Sequence, residues 1–187
     1  MNTVTPSTAS AGQSIAHPLD EFYARSGLNL PPLDQVDGEA VPEPYKSLLV
    51  HERDMTSTLE RFHNSEIYIH ALSSEQRNGE YFREVVLHRT SDDAPVEFGA
   101  NCVNLNLFTP EARAMILQAK VPLGRILKDY AIENAICVRR FFRVEPDELI
   151  CGALNLAAPV PLYGRQAVLC NAEHQPLSQV VEILPAM

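Results

Sequence analysis

From Glu66 onward the apolar positions of this chain repeatedly follow a period of two. Ile67, Ile69 and Ala71 alternate with Tyr68, His70 and Leu72, the signature of a strand with one buried face. A turn signal, Arg77-Asn78-Gly79, separates this run from EYFREVVLHRT, whose aromatic and β-branched residues predict a second strand and hence a hairpin. Asp92, Asp93 and Pro95 break the pattern, and a third strand is expected from about Val96 to Leu107. A fourth is expected from Ile136 to Val144, and YGRQAVLC and PLSQVVEIL, joined by the polar stretch Asn171 to Gln175, close the chain.

Helical spacing fills the gaps. Short helices are predicted over Leu19 to Arg25, Tyr45 to Val50 and Asp54 to Phe62, with Asp54 capping the third; Thr109 opens another through Gln118, and Pro122 starts PLGRILKDY. The stretch LNLPPLDQVDGEAVPEP is punctuated by proline and predicts a loop, and EPDELICGALNLAAPVP is too long and Pro-edged for a tight turn. Hairpins dominate, so the pattern predicts an α+β fold, an antiparallel sheet with helices packed over it.

Composition narrows the function classes. The 24 acidic against 15 basic side chains give a formal charge of −9, which argues against a nucleic-acid surface because phosphate binding needs clustered Lys and Arg. A small anionic ligand stays open, since two or three buried arginines set a pocket's local field. No apolar run is long enough to span a bilayer, and MNTVTPSTASAGQSIA has no basic region followed by an apolar stretch, so no membrane is expected and the cytoplasm is. Residues 1 to 16 have the composition of a flexible tail, leaving 17–187 as a single domain. Cys102, Cys137, Cys151 and Cys170 are scattered, and the histidines show no ligand spacing, so no metal site is expected.

Two charged residues stand among apolar ones. In FREVVL, Arg83 shares a strand face with Val85 and Leu87, while Glu84 and Val86 face the other way. A guanidinium there needs an acceptor, either an internal Glu or a ligand carboxylate held by two parallel hydrogen bonds. In VVEIL, Glu182 either is buried, which raises a carboxyl's pKa toward that of a proton donor, or points outward between Val181 and Ile183; its phase permits both. Arg125 and Arg165 either add positive potential at a second carboxylate or pair with surface acids.

Four segments, in order, resemble the bacterial chorismate lyases: LLVHERDMTSTLERF, YFREVVL, VPLGRIL, and LYGRQAVL followed by PLSQVVEILP. The likeness covers roughly residues 45 to 185. It implies a single six-stranded antiparallel sheet with helical flaps over an enclosed ligand pocket, and no cofactor or metal. By residue, it implies that Arg83 holds the ligand carboxylate, that Glu182 donates a proton, and that Met55, Leu123 and Gly99 shape the substrate site. The implied reaction is elimination of pyruvate from chorismate to leave 4-hydroxybenzoate, early in ubiquinone or aromatic secondary-metabolite synthesis. Such a reaction needs chiefly that the dianion be oriented and the ether oxygen protonated as it leaves. The small-molecule substrate is the one partner implied, and no oligomeric state is. One departure stands out: many relatives carry an Arg after Gly99, where this chain has Ala100-Asn101. Two other readings go with the resemblance, a lyase for a related enolpyruvyl compound and a non-catalytic binding protein for an aromatic carboxylate, akin to effector-binding domains of transcription regulators.

Overall fold

The computed structural model describes residues 14–187. Within these residues seven strands form one antiparallel sheet: β1 (Leu33–Val36), β2 (Ile67–Arg77), β3 (Glu80–Arg89), β4 (Pro95–Asn104), β5 (Ala135–Val144), β6 (Leu162–Cys170) and β7 (Pro176–Leu184). Their order across the sheet is β1-β5-β6-β7-β4-β3-β2. The expected count of six is corrected by β1, which lies inside the proline-punctuated stretch read as a loop. Four residues are too few to show alternation, and the partner that fixes β1, through Leu33 opposite Val144, lies over a hundred positions along the chain. The β2–β3 hairpin turns on Asn78 and Gly79, both at positive φ (52° and 83°), as a two-residue turn of this twist requires. The third expected strand stops at Asn104, and Leu105–Leu107 is a single 3-10 turn.

Among the described residues, six helices cover the sheet: α1 (Leu19–Arg25), α2 (Tyr45–Leu49), α3 (Met55–His63), α4 (Pro110–Leu117), α5 (Leu123–Asp129) and α6 (Glu148–Ala153). The side chain of Asp54 accepts from the Ser57 amide and that of Thr109 from the Ala112 amide, so both predicted caps form. Helix α6 lies in the segment to which the pattern gave no shape, and its N-cap, Asp147, accepts from the Ile150 amide. No helix among the described residues is long and apolar enough to cross a membrane.

The two sheet faces differ. On one, Phe82, Phe98, Phe142, Val181 and Ile183 form a continuous core with Leu19 and Phe22 of α1 and Ile150 of α6. Residues 1–13 of the expected tail lie outside the described part; residues 14 to 16 are packed, with Ala16 buried in this core and the Ser14 carbonyl accepting from Gln166. On the other face the core divides in two. One cluster joins α4 and α5 to Tyr81, Val103, Ala167, Leu169 and Val180, and the other joins α2 and α3 to Ile69, Val85, Leu87, Val96 and Leu184. A strip of polar side chains runs between them.

Candidate functional site

The polar strip is set by strand register. Arg83 of β3 sits opposite Asn101 of β4, Val85 opposite Gly99, and Leu87 opposite Glu97. Gly99 pairs in turn with Glu182 of β7, and Glu182 with Arg165 of β6. Period-two geometry therefore turns Arg83, Asn101, Glu97, Glu182 and Arg165 to the face covered by α3 and α5. A cavity of about 60 Å³ lies there, lined by all five together with Met55, Leu123, Ile69, Val85, Leu87 and Leu169. Of the residues singled out in the sequence, Arg83, Glu182, Arg165, Met55 and Leu123 line it. Gly99 lies beneath it instead. A Cβ at Gly99 would stand 2.3 Å from the Val181 carbonyl oxygen and 3.5 Å from Oε1 of Glu97, so glycine allows β7 to approach closely here.

The two arginines are held in opposite ways. Arg165 is bonded at all three nitrogens: Nε donates to Oε2 of Glu182 at 2.5 Å, Nη1 to the carbonyls of Leu49 (3.2 Å) and His51 (2.8 Å), and Nη2 to the carbonyl of Arg53 (3.3 Å). It ties the segment between α2 and α3 to the sheet. His51 accepts from Arg165 and from the Arg53 amide through Nδ1, and burial together with these arginines lowers its pKa to about 4, so it is neutral at pH 7.

Arg83 is completely buried, yet its only hydrogen bond to another side chain is from Nε to Oδ1 of Asn101 at 2.9 Å. Its Nη1 has no protein acceptor, and among the described residues no carboxylate lies within ion-pairing distance. Burial lowers its pKa to about 10, which leaves it charged at neutral pH. Asn101 thus orients Arg83. The other arginine weighed from sequence, Arg125, pairs with Glu60 at the surface.

Glu97 escaped the sequence reading. Its carboxyl is buried, Oε2 has no hydrogen-bond partner, and burial, with Glu182 and Asp54 nearby, holds its pKa well above the usual carboxyl range despite the opposing charge of Arg165. It was missed because β4 is covered on both faces, so Val96 and Phe98 beside it are as apolar as any inward pair.

The roof consists of short helices. A Cβ at Gly124, the third residue of the PLG segment, would meet Oδ1 of Asp54 at 1.9 Å; glycine there lets the first turns of α3 and α5 touch above the cavity.

No protein-family model matches the chain, and no curated protein does. Solved structures do. The effector domain of PhnF from Mycobacterium smegmatis superposes with a TM-score of 0.54 at 11% identity, over 71% of this chain and 88% of that one. PhnF itself gives 0.53 at 11% identity, over 92% and 95%. Gene product SA0254 from Staphylococcus aureus gives 0.53 at 7%, over 73% and 90%. The chain shares the fold of these proteins.

This likeness corrects the functional expectation. The fold match is to an effector domain and not to a lyase, and the expectation of a chorismate lyase is overturned, with its pyruvate release and its place in ubiquinone synthesis. The geometry agrees, because the Glu182 carboxylate is already engaged as the acceptor of Arg165.

Proposed function

We propose that this chain is a non-catalytic binding module for a small aromatic carboxylate, held between the sheet and the α3–α5 roof. The observation that carries the reading is Arg83, a fully buried guanidinium with a free Nη1 at the cavity wall and no internal counterion. A buried charge without a partner is costly, and a ligand carboxylate is the acceptor that planar fork fits best. Ile69, Val85 and Leu87 on the sheet and Met55 and Leu123 on the roof supply apolar surface for a ring. The service of a domain of this fold as the effector domain of PhnF supports the same direction.

The cavity is smaller than the ~150 Å³ that encloses a benzene ring. Entry therefore requires the roof to lift and settle, and α5, a seven-residue helix, is the element suited to it. In this reading the settled roof encloses the ligand.

Calorimetric titration with 4-hydroxybenzoate and its neutral isostere 4-hydroxybenzamide tests the proposal. The acid should bind at least roughly tenfold more tightly, the scale of one hydrogen bond to a charged group. Arg83→Met should abolish that difference. Equal affinities, or a variant as selective as the parent, would overturn it, and release of pyruvate from chorismate would overturn its non-catalytic character.

A further inference from the structure

The site has a second buried polar group with nothing to bond, at the far end from Arg83. Register places Glu97 opposite Leu87 and Asn101 opposite Arg83, four positions apart on both strands. At ~3.3 Å per residue the two stations are about 13 Å apart along the sheet, and Val85 and Gly99 lie between them. Both Glu97 and Arg83 line the cavity, and each has one buried polar atom, Oε2 and Nη1 respectively, with no protein partner.

The neighbours of Glu97 decide its chemistry. Glu182 from β7, Arg165 from β6 and Asp54 from the start of α3 are the charged groups around it. Arg165 donates to Glu182 and to three backbone carbonyls, and none of its hydrogen bonds goes to Glu97. With two carboxylates nearby and no donor assigned to it, Glu97 has its pKa raised, which favours the protonated carboxyl, and a carboxylic acid can donate a hydrogen bond as well as accept one.

We infer that Glu97 determines specificity at this site by hydrogen-bonding an oxygen substituent on the ligand at the end opposite its carboxylate. The ligand class is then a ring acid with a hydroxyl or carbonyl oxygen across the ring, and not an unsubstituted aromatic acid. This inference rests on the carboxylate-binding role of Arg83 and deepens it. A site built to bond a ligand oxygen rejects an analogue without it more strongly than an apolar pocket separates two sizes, because the buried protein group is then left unpaired.

The test is a ratio of affinities. Titration of the full chain with 4-hydroxybenzoate and with benzoate should show the hydroxylated acid favoured by roughly tenfold or more. Glu97→Leu should bring the two acids to within about twofold of each other by weakening 4-hydroxybenzoate alone, and Glu97→Gln, which retains a donor, should keep the preference. Circular dichroism and melting confirm folding for each variant, and a merely structural residue would shift both acids together. If the parent binds both acids equally in an Arg83-dependent way, or Glu97→Leu keeps the preference, the role of Glu97 is overturned while that of Arg83 stands. If neither acid binds, the carboxylate reading falls and this inference falls with it.

Discussion

Arg83 shows most directly how a single residue sets stability against function. A guanidinium that is completely buried, bonded only to Asn101 and lowered in pKa to about 10 by desolvation, destabilises the ligand-free fold. Replacing it with a side chain of similar length and no charge should remove that burden. Arg83→Met is expected to raise the melting temperature of the ligand-free protein, by an amount corresponding to about 1–4 kcal/mol. A fall in scanning calorimetry would show that the charge is already compensated. The strand phase of FREVVL was enough to place Arg83 on the inner face, because its neighbours alternate cleanly. Glu182 could not be placed that way, since Val180, Val181, Ile183 and Leu184 are all buried; only its register against Gly99 and Arg165 shows its direction. Glu97 gave no signal for the same reason, one strand over.

At the level of elements, the site is a rigid floor with a light roof. The floor is the centre of a seven-stranded sheet, and the roof over it is the first turns of α3 and α5, in contact through Asp54 and Gly124. A side chain at position 124 would displace the Asp54 carboxylate that caps α3, and Gly124→Ala should destabilise the protein by about 0.5–2 kcal/mol in denaturant titration. Helices this short take most of their stability from what they pack on. Amides of α5 should therefore exchange fastest among the core-facing helices in the free protein and slow on adding 4-hydroxybenzoate, which hydrogen exchange can follow; unchanged exchange would argue against a moving roof. The long strands and the capped helices were visible in the sequence because local pattern and capping chemistry specify them. β1 is specified by its distant partner β5, and α6 by burial of Ile150 against the sheet, and neither relation is local in sequence.

Across the whole molecule, the sheet carries a buried carboxyl on each face, and this predicts how stability responds to pH. Glu97 lies under the roof, and Glu84, the neighbour of Arg83, lies on the opposite face with Asp147 nearby. Burial is the main cause of a raised pKa in both, and each has a carboxyl oxygen without a partner. A carboxyl whose pKa is higher in the folded than in the unfolded chain binds its proton more tightly when folded. Its contribution is complete below the ordinary value of 4.5 and is lost as pH rises through the raised one. His51 acts in the opposite sense: with its pKa lowered from 6.5 to about 4, its contribution is complete above 6.5 and is lost as pH falls toward 4. Stability should thus decline on the acid side through His51 and on the neutral-to-alkaline side through the two carboxyls. Denaturant titrations from pH 5 to 9 should show the upper decline flattened in Glu84→Gln and in Glu97→Gln, and flattened most in the double variant, since residues on opposite faces act additively. An unaltered slope in the double variant would place the source of the decline elsewhere. Because Glu97 also lies at the proposed site while Glu84 does not, saturating the protein with 4-hydroxybenzoate should change the effect of Glu97→Gln on the slope and leave that of Glu84→Gln unchanged.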